Sequence, residues 1–304
     1  MADGGVEKSE RAARRLRKGV FVVPSLLTTA NIFCGFYSVM ESIAGSERLA
    51  LNDLSGATEH FDRAAINIGI AWLFDSLDGR IARMTGATTE FGLELDSIAD
   101  VLSFGIAPAV LAYSWGYGQT LELHKFAWAV SFLFVICGAL RLARFNVLAR
   151  QVKPPASASS KPDKKGFVGL PIPAAAGLIA AIAHFRPKPL TELDPIQITG
   201  SFRADSGHFA TALMVLVVGL SFLMISTIRY SSFKGAGTRN YHPRILILVL
   251  TFSGLAIWIN SRWSLLVLSV GYVTHGLAGK LWSLLRLRHP DKSETDLAPR
   301  AQHD

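Results

Sequence analysis

Asp75-Ser-Leu-Asp78-Gly79-Arg80-Ile-Ala82-Arg83, a short loop with Thr and Gly, then Gly92-Leu-Glu-Leu-Asp96-Ser-Ile-Ala-Asp100: this stretch decides how the chain is read. Four aspartates stand at fixed spacing among strongly apolar surroundings. On a helix turning about 100° per residue, Asp75, Asp78, Gly79, Ala82 and Arg83 fall within an arc of roughly 140°. One face therefore carries two carboxylates, a guanidinium and two small residues. Gly92, Asp96 and Asp100 advance by about 40° each and line a second narrow stripe on the next helix.

If the stripes face each other, four carboxylates converge in a partly dry medium, and their repulsion demands a cation between them. No Cys or His accompanies the acids, so the ligand set suits Mg²⁺, Mn²⁺ or Ca²⁺ and not zinc. A pair of such ions, with Gly79 and Ala82 leaving room for a bulky ligand and Arg83 available to a phosphate, describes a site for phosphate-ester chemistry. The plainer alternative is an ion-pair network with Arg80 and Arg83, which explains neither the number of acids nor the small residues beside them.

Read as D-x2-D-G-x2-A-R-x8-G-x3-D-x3-D, the stretch resembles the signature of the CDP-alcohol phosphatidyltransferases at every defined position. The resemblance implies a helical membrane enzyme, commonly a homodimer, that takes a CDP-linked lipid and an alcohol and releases CMP. It implies Asp75, Asp78 and Asp96 as ligands of two Mg²⁺ or Mn²⁺ ions. Asp100 would be the general base, a further metal ligand, or both. Asp78, Gly79, Ala82 and Arg83 would meet the CDP-diacylglycerol; Arg80 lies outside the fixed positions and takes no role.

Composition agrees with a membrane protein. Half of the 304 residues are apolar, and mean hydropathy is positive at +0.33 despite a net charge of +8. The basic residues cluster between apolar runs, which argues against a nucleic-acid partner. Cys34 and Cys137 lie inside apolar segments with no metal or redox spacing. Apolar runs at 19–44, 64–83, 92–116, 126–148, 169–185, 209–228, 245–260 and 263–283 predict an all-α polytopic bundle of about eight membrane helices. The first run is too long for a signal peptide. Residues 19–285 would form the catalytic membrane domain, after a basic segment 1–18 and before a disordered tail 286–304. The basic segment reads as a surface-bound helix or a solvated tail. The stretch from Gln151 to Lys165, rich in Pro, Ser and Lys, reads as a mobile loop.

Lys and Arg concentrate before the first run and after the fourth, sixth and eighth. The positive-inside rule then places both termini and the aspartate hairpin on the cytoplasmic side, in a bacterial inner membrane.

In the first run, Thr28, Asn31 and Gly35 recur at i, i+3 and i+7, an inward polar stripe. Asn31 serves a helix seam or contacts the CDP-lipid; both readings stay open. Four further pieces resemble the phosphatidylserine-forming branch of the family: Ser103-Phe-Gly-Ile-Ala-Pro108, Arg141-Leu-Ala-Arg144-Phe-Asn146, Gly169-Leu-Pro171-Ile-Pro173, and Met224 to Lys234. They imply L-serine as acceptor. Serine carries a carboxylate, for which Arg141 or Arg144 supplies a bidentate cation, unless either snorkels to the membrane edge. Ser103 falls within about 60° of Asp100 on an ideal helix and is expected to line the same pocket. Pro171 and Pro173 are expected to shape a helix start. The histidines, His184 among them, form no pair at ligand spacing. Choline, glycerol phosphate or inositol phosphate as acceptor, a cation transporter and a lipid-binding scaffold are the competing readings.

Overall fold

The computed structural model describes residues 3–86, 89–120, 124–151, 167–199, 202–230 and 243–287. Within them each apolar run becomes one helical rod. These are α1 (Asp3–Ala50), α2 (Leu54–Thr85), α3 (Glu90–Tyr117), α4 (His124–Gln151), α5 (Ile172–Phe185), α6 (Ser206–Ile225), α7 (Pro243–Ile259) and α8 (Ser261–Leu287). The helical backbone of α1 passes without a break through the expected boundary at residue 18. The segment expected as a mobile loop lies, apart from Gln151, outside the described residues, as do Lys234 and the tail beyond Leu287.

Among the described residues three helices, α3, α4 and α6, are long and apolar enough to cross a membrane. The helix α5 is not: its 14 residues make a rod of about 21 Å. Its position explains its composition. Ile172, Ala175, Ala176, Ile179 and Ala183 are fully buried, because α5 is wrapped by α2, α8 and the middle of α3. Small side chains let these rods approach closely.

The start of α5 is fixed by backbone. Gly169 has φ +84° and sits against the Met224 carbonyl, where a Cβ would collide. Gly169 N–H donates to Ile228 O (2.8 Å) and Leu170 N–H to Leu223 O (3.1 Å), tying this turn to the end of α6. Pro171 then caps α5 and Pro173 occupies its first turn, where a missing N–H costs nothing.

Two small antiparallel pairings add to the helices: β1 (Phe167–Val168) with β4 (Arg229–Tyr230), and β2 (Ile196–Thr199) with β3 (Phe202–Ala204). Such short strands carry too few residues to show alternation, so the expectation of helices alone misses them.

The long α1 packs along α2 and against α3. Thr28, Asn31, Gly35, Ser38 and Ser42 are among its buried polar or small positions, and Ser38 donates to Ala64 O of α2 (2.8 Å). At Gly35 the approach to α3 is close enough that a Cβ would lie 2.7 Å from Ser103 Cα.

Candidate active site

The aspartate hairpin is built by two local signals. Gly86, at φ 64°, ends α2 in a left-handed cap whose N–H returns to Ala82 O. Thr89 then starts α3, its Oγ1 accepting from Gly92 N–H at 2.9 Å. The reversal sets the last turns of α2 beside the first turns of α3, and the two aspartate stripes face each other.

Carboxylate oxygens of Asp75, Asp78 and Asp96 lie within 4.8 Å of one another, a set that could hold a metal ion. Asp100 stands outside that set but within hydrogen-bonding reach of Asp75. Among the described residues, no arginine forms an ion pair with any of the four. Arg83, exposed, acts on Asp75, Asp78 and Asp96 through longer-range charge, and its Nη1 would lie 3.5 Å from a Cβ placed on Gly79. The ion-pair alternative therefore lacks its contacts.

Three further observations fit a cation. The donors are all carboxylate oxygens, as a hard divalent ion requires. Asp96 Oδ1 and Asp100 Oδ1 are enclosed yet have no hydrogen-bond partner, an expensive state for a carboxylate. Asp78, nearly fully buried, is oriented by the Thr28 hydroxyl at 2.9 Å.

Asn31 follows Thr28 by one turn of α1. It is fully buried, and neither its amide oxygen nor its nitrogen has a partner. Leaving both amide atoms of a buried side chain without a partner is costly.

Ser103 is also fully buried, but its hydroxyl donates to the Asn31 carbonyl at 3.0 Å across the α1–α3 seam. Between Asp100 and Ser103 the helix departs from ideal geometry for a local reason. Pro108 has no N–H to give, and the helix opens into a π-turn at Val101–Ile106, with Ala107 N–H reaching Leu102 O. A second π-turn follows at Ala112–Tyr117.

Of the two arginines on α4, Arg141 is half-buried and within electrostatic range of Asp100, and its Nε is enclosed without a partner. Arg144 is exposed. Two residues on, Asn146 Nδ2 donates to Ser97 Oγ (2.8 Å) and fastens α4 to the start of α3.

Two histidines unassigned from sequence have partners at the far end of the bundle. His184 Nδ1 lies 2.6 Å from Asp62 Oδ1 and its Nε2 2.9 Å from Ser261 Oγ, joining α5 to α2 and α8. His60 pairs with Glu41 at 2.6 Å. Their partners are 122, 77 and 19 residues away, so no local spacing could reveal them.

A helical bundle with membrane-capable helices, clustered carboxylates that could hold a metal ion and a half-buried arginine beside them has the parts of a phosphate-transferring membrane enzyme. The family model for CDP-alcohol phosphatidyltransferases matches residues 21–223, and the chain belongs to that family. It is 30% identical over 269 residues to a CDP-diacylglycerol–serine O-phosphatidyltransferase of Helicobacter pylori, covering 88% of this chain and 94% of that one. It is 38% identical over 179 residues to the protein of the same name from Saccharomyces cerevisiae, covering 59% of each. An archaetidylserine synthase of Methanothermobacter thermautotrophicus is 35% identical over 217 residues, covering 71% of this chain and 72% of its own.

Proposed function

We propose that the protein makes phosphatidylserine, transferring the phosphatidyl group of CDP-diacylglycerol to the hydroxyl of L-serine with release of CMP. The juxtaposition of Asp100 with Asp75 on one side and Arg141 on the other carries this reading. The relatives' names support serine in particular: they share it as acceptor, while the lipid part differs.

Asp75, Asp78 and Asp96, with or without Asp100, would hold two Mg²⁺ or Mn²⁺ ions, which when bound supply charge neutralisation to the pyrophosphate. Thr28 holds Asp78 in place for that task. Asn31 offers both amide atoms to the CDP-lipid, with Ser103 fixing the backbone beneath it. Gly79 and Ala82 leave the lipid's head group room, and Arg83 pairs with phosphate.

Asp100 takes the proton from the serine hydroxyl. The hydroxyl oxygen attacks the phosphorus bearing diacylglycerol; a new O–P bond forms, the pyrophosphate P–O bond breaks, and CMP leaves with its electron pair. Arg141 receives the serine carboxylate through two parallel N–H donors and so directs the hydroxyl toward Asp100. Arg144 stays at the membrane edge.

About eight membrane helices, the short α5 enclosed among the others, with both termini and the hairpin on the cytoplasmic side of a bacterial inner membrane, suit a donor that is a lipid and an acceptor that is soluble. The distribution of Lys and Arg supports this orientation. Residues 19–285 act as the catalytic unit, in a homodimer. Incorporation of labelled serine into lipid by the purified protein tests the assignment. Label that stays water-soluble while CMP is released with another alcohol would reassign the acceptor.

A further inference from the structure

The last helix lies beyond the segment that the family model matches, and no motif in its sequence marks it as part of the chemistry. Most of its large apolar side chains, including Trp263, Val267 and Leu268, point outward. One turn differs. Val273 is buried, and Tyr272 beside it is half-buried and packed against the core. The Tyr272 phenol comes within electrostatic range of the Arg141 guanidinium, which in turn stands within range of Asp100. Three helices, α3, α4 and α8, thus supply one line of groups: carboxylate, guanidinium, phenol.

Two atoms along this line are enclosed and unspent, Asp100 Oδ1 and Arg141 Nε. The opposite charges interact without a hydrogen bond joining them, so each retains capacity for a small molecule that is a donor at one end and an anion at the other. An arginine has a long side chain, and it reads a carboxylate bidentately only when its plane is fixed. The phenol acts on the guanidinium electrostatically, with no hydrogen bond joining them in this structure. Once an acceptor draws Arg141 into place, the phenol oxygen can accept from it and fix that plane, because α8 is itself held by its packing on α5.

We propose that Tyr272 is a positioning residue for the acceptor: it orients Arg141 toward the serine carboxylate, so that the last helix completes the acceptor pocket from outside the family core. The inference rests on the functional reading above.

Tyr272→Phe keeps the ring and removes only the hydroxyl. With purified protein in CDP-diacylglycerol micelles, the expected result is a KM for serine raised about 5- to 30-fold. The KM for CDP-diacylglycerol and kcat should stay within about twofold, and thermal unfolding should be unchanged. Arg141→Lys should raise the serine KM as well, and adding Tyr272→Phe to it should cost little more, because both changes disable one device. An unchanged serine KM in Tyr272→Phe, or equal losses for both substrates, overturns the proposal. A native protein that ignores serine but uses another alcohol overturns the functional reading instead; the same KM comparison with that alcohol then decides what Tyr272 does.

Discussion

The Thr28 hydroxyl lies 2.9 Å from Asp78 Oδ2, on a different helix and 50 residues away. It also lies 3.0 Å from the Pro24 carbonyl of its own helix. Its single proton favours the charged acceptor, so α1 reaches into the aspartate cluster and sets the direction of one carboxylate.

Thr28→Val preserves shape and removes that donor. A hydrogen bond to a charged group is worth about 1.5–3 kcal/mol, so CMP release should fall about tenfold or more. Thr28→Ser should stay near the native rate. Equal rates in Thr28→Val and the native protein would show that Asp78 needs no help from α1.

Gly35 is where α1 and α3 come closest, and a Cβ there meets the Ser103 backbone as well as its hydroxyl. Gly35→Ala should destabilise the protein by about 1–3 kcal/mol, read as a lowered unfolding temperature in detergent. Adding Ser103→Ala should not restore it, because Cα remains. Full rescue would locate the conflict in the side chain alone.

His184 joins three helices far in sequence, between Asp62 and Ser261. His184→Ala leaves both partners unsatisfied and should cost about 1–3 kcal/mol of stability. In the folded fraction, the KM values for both substrates should stay native. A selective loss of serine affinity would contradict the placement of the acceptor site at the opposite end.

Removing divalent ions with a chelator should abolish CMP release, and Mg²⁺ or Mn²⁺ should restore it. Asp75→Asn and Asp96→Asn should weaken Mn²⁺ binding, followed by electron paramagnetic resonance, by more than about tenfold, since even groups behind the ligands are worth that much. Undiminished binding in both variants would dissociate the ion from these carboxylates.

The aspartate cluster was legible because its information is local: residues three, four and eight apart on two helices joined by a short turn, with Gly86 and Thr89 fixing the reversal. The inward stripe of Thr28, Asn31 and Gly35 was legible for the same reason. The partner of Ser103 was harder to read, because a π-turn begins directly after Asp100 and its angles differ from those of an ideal helix. Arg141 and Arg144 are indistinguishable in sequence, three residues apart on one amphipathic end, and only packing encloses the first. Tyr272 and the His184 bridge depend on contacts between distant helices, and nothing in their neighbourhoods announces them. The run at 169–185 is legible as apolar, but its burial on several sides, which its small side chains permit, comes from packing between distant helices.

The most direct measurement is CMP release from CDP-diacylglycerol by the purified protein with Mg²⁺ or Mn²⁺. It compares serine with glycerol 3-phosphate, inositol, inositol phosphate and choline, and native protein with Asp100→Asn. The account predicts release that depends on serine alone and falls by about a hundredfold or more in the folded variant. Release that ignores serine, or that persists undiminished in Asp100→Asn, would contradict it.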